Sequence, residues 1–177
     1  MLRPESSTVN YFTGEHKKPE YLKINPMGTV PSAVDGDCMI TESNAILQYA
    51  ADHSENHQYY PEDLKGRSHV NRWLLWEASV WFPSCYVYLV EYVVKPLLKA
   101  EPDQSIIDEE APKWDRLAAV LEGQLTKTKW LAGDNLTIAD SEYSILPFLL
   151  CFYFPKVSRS SQLDLASPQP RWALQLC

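Results

Sequence analysis

The sequence predicts a small mixed α/β layer followed by an all-α bundle. Three observations predict it. Before residue 53 short β-prone pieces alternate with short helical ones, and after residue 66 the apolar periodicity is helical almost throughout. Between them "HSENHQYYPEDLKG" interrupts both patterns with polar residues, a proline and a glycine. A length of 177 residues with 45% hydrophobic composition suffices for one or two small domains with a buried core. The organisation read from this is an α/β domain over residues 1–53, a linker over 54–66, a helical domain over 67–152 and a tail over 153–177.

In the first domain "STVNYF", "VPSAV" and "CMIT" read as strands, and "KPEYLKIN" and "ESNAILQYAAD" as helices. The longest helical stretch runs from Leu64 to Leu98, with Val70, Trp73, Leu74, Ala78 and Trp81 on one apolar face. Pro83 lies inside it and predicts a kink or a break, because it lacks an N–H and clashes with the preceding turn. A second helix is predicted from Asp108 to Lys127, burying Trp114, Leu117, Ala118, Leu121 and Leu125. A third begins at Thr137 in "NLTIADSEYSILPFLL". There Thr137 and Asp140 predict a capping box: the hydroxyl accepts the Asp140 N–H and the carboxylate reaches back to the Thr137 N–H. Ser141 stands where a hydrophobic staple wants an apolar residue to meet Leu136.

Composition excludes several classes of function. Net charge is −7 and the Lys and Arg residues are scattered, so no basic stripe tracks a phosphate backbone and nucleic acid is not the expected partner. No apolar run reaches bilayer length and "MLRPESSTVNYF" lacks the apolar stretch of a signal peptide, so a soluble, cytoplasmic chain with no membrane partner is expected. Cys38, Cys85, Cys151 and Cys177 are single and widely spaced, which reads as free thiols in a reducing compartment. His53 and His57 have i, i+4 spacing but sit in the polar linker beside no third ligand, and no metal site is assigned to them.

The stretch with most chemistry is "NPMGTVPSAVDGDCMITESNAI", residues 25–46. A proline following Val30 at the head of a strand is a place for a cis peptide bond. Beyond the hairpin, Glu42 and Ser43 stand at a helix start, where a hydroxyl and free N–H groups suit a carboxylate and Glu42 suits an ammonium group. A plain helix start would use the same residue types for capping and dipole reasons.

"TGEHKKPEYLKINPMGTVPSAVDGDCMITESNAILQYAAD" resembles the second half of the thioredoxin-like domain of cytosolic glutathione transferases, in the style of the phi and theta classes and their bacterial relatives. "WLAGDNLTIAD" resembles the capping-box turn before the core helix of that family's helical domain. The resemblance covers about residues 10 to 150 and implies an incomplete thioredoxin-like domain followed by an α-helical transferase domain. It implies glutathione as a substrate, no cofactor, and conjugation to an apolar electrophile. It also implies a homodimer. By residue, it implies that Val30 pairs its backbone with the cysteinyl part, that Pro31 is the cis proline, and that Glu42 and Ser43 hold the γ-glutamyl amine and carboxylate. His16 and Lys17 fall where phi-like enzymes face the glycyl carboxylate, and Thr29 takes a position often filled by Gln or Lys. Read without the family, His16 with Lys17 and Lys18 is a solvated charged loop.

The sequence also departs from that pattern. "TVNYF" occupies the place of the family's second strand, so the first strand and first helix, with the hydroxyl or thiol that stabilises the glutathione thiolate, have no counterpart. The catalytic residue is therefore unassigned, Ser6, Ser7 and Tyr11 being the only nearby hydroxyls. Impaired activity is expected, together with an open edge on the "VPSAV"–"CMIT" hairpin. From residue 153 on the tail diverges after "FPKVSR", and a spliced form, a fragment or an erroneous gene model is the expectation. The cluster Trp73, Trp76, Trp81, Phe82, Tyr86 and Tyr88 reads as helix core, with Trp81 and Tyr86 as the candidates for a hydrophobic co-substrate pocket. The alternative function is a non-catalytic interaction module, like the transferase-like domain of the elongation factor complex gamma subunit.

Overall fold

A computed structural model describes residues 5–54 and 56–141. Two compact units divide between Tyr60 and Pro61. In the first, a 3-10 turn at Glu15–Lys17 leads into α1 (Pro19–Leu22), strands β1 (Ser32–Asp35) and β2 (Cys38–Thr41), and helix α2 (Ser43–Asp52). β1 and β2 pair antiparallel, Ser32 opposite Thr41 and Asp35 opposite Cys38. Gly36 opens the two-residue connection at φ 60°, the left-handed conformation that a type II′ hairpin turn puts at this position and that glycine adopts without a Cβ clash. Tyr49 of α2 donates its hydroxyl to the Asp35 carboxylate at 2.6 Å, tying the helix to the hairpin tip. That bond to a carboxylate, with some loss of hydration, pushes the Tyr49 phenol up to about 12.

The predicted strand at "STVNYF" is not formed. Residues 5–10 have no regular structure and 11–14 are a turn. A strand must pair its N–H and C=O groups, and here local partners take them. The Asn10 carbonyl accepts from the Glu15 N–H at 3.1 Å, the Tyr11 carbonyl from the Gly14 N–H at 3.2 Å, and the Glu15 carboxylate from the Asn10 N–H at 2.7 Å. Among the described residues the sheet thus has two strands, with Val34 and Met39 facing each other and half exposed.

The second unit is helical: α3 (Leu64–Trp76), a π segment (Glu77–Trp81), α4 (Phe82–Leu89), a second π segment (Val90–Val94), α5 (Lys95–Leu97) and α6 (Gln104–Leu125). Asp63 caps α3 by accepting the Gly66 N–H at 2.8 Å. At Pro83 the chain does not break: it stays helical through Trp81 and Phe82, and the change from π to α bonding falls just before Pro83, where the ladder must do without one N–H. The wider π turn also shifts the buried face. Val70, Trp73, Leu74 and Trp81 are buried as predicted, but Ala78 is exposed and Glu77 turns inward to 3% exposure. α6 starts at Gln104 rather than Asp108, because Asp103 caps it by accepting the Ser105 N–H at 2.9 Å. Its Trp114, Leu117, Leu121 and Leu125 are buried, with Ala118 half-buried.

Trp114 joins α4 and α6, stacking on Trp81 with ring centroids 4.8 Å apart and meeting Tyr88 edge-on at 5.0 Å. Ser84 of α4 donates to the Glu110 carboxylate of α6. Glu91, 3% exposed, accepts from Lys95 Nζ at 2.5 Å and from the Asp103 N–H at 2.7 Å, fixing the end of the long helix to the start of α6. At Thr137 the capping box is half as predicted. Asp140 accepts the Thr137 N–H at 2.9 Å, but the Thr137 hydroxyl donates to the same carboxylate at 3.1 Å instead of accepting the Asp140 N–H. The Asp140 N–H goes to the Thr137 carbonyl at 3.0 Å, and the other carboxylate oxygen takes the Leu131 N–H at 2.9 Å. Asp140 therefore pins the "WLAGDN" loop as well as the helix start, and Ser141 and Leu136 are both exposed there.

The body of the third predicted helix, the tail, "FPKVSR", Cys151 and Cys177 lie outside the described residues. Cys38 is exposed and Cys85 buried, both as free thiols, and burial pushes the Cys85 thiol well up. Among the described residues no helix is long and apolar enough to cross a membrane, and no group of three or more His, Cys, Asp or Glu is placed to hold a metal ion. His53 instead bonds through Nδ1 to the Tyr49 carbonyl at 3.0 Å.

Candidate functional site

The loop from Asn25 to Pro31 is built by side chains that converge on it from the preceding turns. Asn25, 1% exposed, donates Nδ2 to the Thr29 carbonyl at 2.8 Å and to Thr29 Oγ1 at 3.0 Å, and its Oδ1 accepts the Met27 N–H at 3.1 Å. Tyr21 donates its hydroxyl to the Thr29 carbonyl at 2.6 Å and lies 2.9 Å from Ser32 Oγ. Lys17 donates to the carbonyls of Gly28 at 3.1 Å and Met27 at 3.3 Å. Gly28 permits this closeness: at φ 60°, a Cβ there would sit 2.9 Å from both the His16 carbonyl and Lys17 Nζ. The peptide bond Val30–Pro31 is cis, and Val30 is 46% exposed.

The β register then decides what lies next to this loop. Ser32 pairs with Thr41, so one step further Val30–Pro31 and Glu42–Ser43 lie at the same open end of the hairpin. Glu42 sits at φ 71°, ψ 124°, a conformation that non-glycine residues seldom adopt. Its side chain makes no cap bond to α2. A residue serving only as a helix cap would use its carboxylate on the N–H groups, so capping does not account for Glu42. Ser43 opens α2 and is half-buried.

His16 is not part of a solvated loop. It is 6% exposed, its ring stacks on Tyr11 at 3.8 Å and 3° between planes, and its Nδ1 is buried without a partner. Lys17 is exposed at the surface, two of its three donors already committed to the loop carbonyls. In the helical unit Trp81 is 1% exposed between Trp76 and Trp114, so its ring belongs to the core, whereas Tyr86 is 46% exposed beside Phe82. Tyr21 and Asn25 escape the sequence reading, although both stand in "PEYLKINP" four residues apart, just ahead of an Asn-Pro turn signal.

Family profiles match in chain order: "Glutathione S-transferase, N-terminal domain" over residues 5–52 and "Glutathione S-transferase, C-terminal domain" over residues 86–164. Glutathione S-transferase 1 of Zea mays is 35% identical over 145 residues, which is 82% of this chain and 67% of that relative. Glutathione S-transferase F13 of Arabidopsis thaliana is 32% identical over 175 residues, 96% of this chain and 77% of that protein. The chain belongs to the glutathione S-transferase family. Its fold is that family's thioredoxin-like and helical pair of domains. A solved structure of glutathione S-transferase I from mais in complex with an atrazine glutathione conjugate superposes with a TM-score of 0.80 at 34% identity, covering 97% of this chain and 78% of that one. The match takes in 64% of the length of Zea mays glutathione S-transferase 3, so this family member spans about two thirds of several of the curated relatives that it matches.

Proposed function

We propose that this transferase-family chain binds glutathione at the open end of the hairpin and presents its thiol to an apolar electrophile. The observation that carries the reading is the β register, which sets the exposed Val30 beside a Glu42 whose backbone is strained and whose side chain makes no cap bond to α2. In this reading Val30 pairs through its backbone with the cysteinyl residue and Pro31 shapes the approach. Glu42 takes the γ-glutamyl ammonium, and Ser43 with the first N–H groups of α2 takes the γ-glutamyl carboxylate. Thr29, His16 and Lys17 flank the glycyl end. The likeness to a relative solved with a glutathione conjugate supports the ligand class.

The co-substrate contact is assigned to Tyr86, the exposed member of the pair picked from the sequence. Membership of the family supports a homodimer as the assembly, and a cytoplasmic location fits cysteines that are single and widely spaced. Binding and turnover are separable in this chain, since favouring the thiolate needs a donor to the sulfur beyond the residues that hold the peptide.

Titration calorimetry with glutathione tests the reading. Saturable binding is expected, with Glu42→Ala about tenfold weaker or more through loss of a charge-assisted hydrogen bond. A conjugation assay with a generic electrophile then separates an enzyme from a non-catalytic module. No binding of glutathione by the folded chain would falsify the proposal.

A further inference from the structure

His16 is the one described residue of the loop cluster whose buried polar atom has no use within the fold. Its Nδ1 is enclosed and makes no hydrogen bond to any of the described residues, and the imidazole is 6% exposed. A buried N–H with no acceptor is rarer and costlier than a lone pair with no donor, so in the neutral ring the proton sits on Nε2. That leaves Nε2–H as the donor available to a ligand. What fixes the ring in this orientation is Tyr11, whose phenol lies parallel to it at 3.8 Å, and the short 3-10 turn Glu15–Lys17 on which His16 stands. Tyr11 itself is 52% exposed, and among the described residues its hydroxyl makes no hydrogen bond that would explain the placement otherwise.

We infer that Tyr11 is a positioning residue that clamps His16 as an Nε2–H donor for a carboxylate, which on the glutathione reading above is that of the glycyl residue. Tyr11 touches no part of the peptide in this arrangement. Its ring removes the rotational freedom that His16 would otherwise lose on binding, and it holds Nδ1 away from the ligand. The stack rather than the phenol is the working part, so phenylalanine suffices.

Two measurements on the full chain test this. The first is calorimetric, comparing glutathione with γ-glutamylcysteine, which lacks the glycyl carboxylate. Tyr11→Ala is expected to weaken glutathione about five- to tenfold while leaving γ-glutamylcysteine unchanged, and Tyr11→Phe to match the wild type for both. Unchanged γ-glutamylcysteine binding also shows that the variant is folded. Equal weakening of both peptides, weakening of neither, or a Tyr11→Phe variant as poor as Tyr11→Ala overturns the clamp. The second needs no ligand: long-range 15N–1H spectra of histidine-labelled protein, with the His16 signal assigned through His16→Gln. A single Nε2–H tautomer is expected in the wild type and a mixture in Tyr11→Ala, and a wild-type Nδ1–H tautomer overturns the inference. A wild type with the expected tautomer that binds neither peptide would remove the glutathione reading, and the carboxylate role with it, while the tautomer signal reports on the clamp separately.

Discussion

Each of the two units is held together internally by its own kind of contact. Among the described residues of the first, Ala51 and Tyr60 are the buried hydrophobic side chains, and His16 and Asn25 are buried beside the loop they serve. The second buries a continuous set from Val70 and Trp73 through Trp81, Tyr88 and Trp114 to Leu121 and Leu125. Apolar burial is not directional and tolerates a shift of register, as the π segments demonstrate. Hydrogen bonds are directional, and a loop built from them has one working geometry. The difference teaches where precision resides: the hairpin end where the ligand is proposed to bind is specified by polar bonds, and the helical unit by packing.

The comparison breaks most severely at Trp114. It stacks on Trp81 and meets Tyr88, so Trp114→Ala empties the junction of α4 and α6. A loss of about 3–5 kcal/mol is expected for a buried tryptophan cut to alanine. Urea unfolding followed by tryptophan fluorescence measures it, because all six tryptophans, Trp73, Trp76, Trp81, Trp114, Trp130 and Trp172, fall after Pro61. A loss under about 1 kcal/mol would mean the packing there is not what stabilises the unit.

Asn25→Ala is the matching break in the first unit. It removes both Nδ2 bonds to Thr29 and the Oδ1 bond to Met27 from a side chain that is itself buried, while Thr29 and Met27 are exposed and can turn to water. The expected cost is about 1–2 kcal/mol, since three hydrogen bonds are lost but their former partners regain water or, at the Thr29 carbonyl, keep Tyr21. Hydrogen exchange across residues 21–35 should accelerate and glutathione affinity fall, with the tryptophan-monitored midpoint little changed. A midpoint that falls as far as in Trp114→Ala would show that the contrast between the units is not energetic.

Legibility in the sequence follows the same divide. Periodicity located α3, α6 and the buried Val70, Trp73, Leu74, Leu117 and Leu121, because an apolar stripe repeats and can be counted. It failed at Ala78, where a π turn changes the period without changing residue type. It failed again at "STVNYF", whose β propensity is overruled by local turn bonds. The hairpin and the positions of Val30, Pro31, Glu42 and Ser43 were readable from turn signals and motif. The arrangement around them was not: Asn25 and His16 are polar residues in polar surroundings, and nothing in composition distinguishes a buried one from a solvated one.

The smallest expected effect sharpens the comparison from the packed side, because Glu91 is a directional device inside the helical unit. Its carboxylate takes Lys95 Nζ and the Asp103 N–H, joining the second π segment to the cap of α6. Burial raises the carboxyl's ordinary value, but the bonds from Asp103 and Lys95 and the Lys95 charge outweigh it, so the native group titrates lower. A carboxyl held lower in the native state than in the unfolded one contributes stability that is fully present above the ordinary glutamate range. The contribution is lost as pH falls from that range through the lowered native value. Glu91→Gln keeps one acceptor and removes the charge, so it should cost about 1 kcal/mol at neutral pH and less as the solution is acidified. Asp140 works with the opposite sign, burial raising its carboxyl, so its contribution declines as pH rises and does not mimic the Glu91 limb. Thermal melts of wild type and Glu91→Gln should therefore converge toward low pH. Parallel curves over the whole acid range would show that the bond at Glu91 contributes by its geometry, as the packing does, and not by its charge.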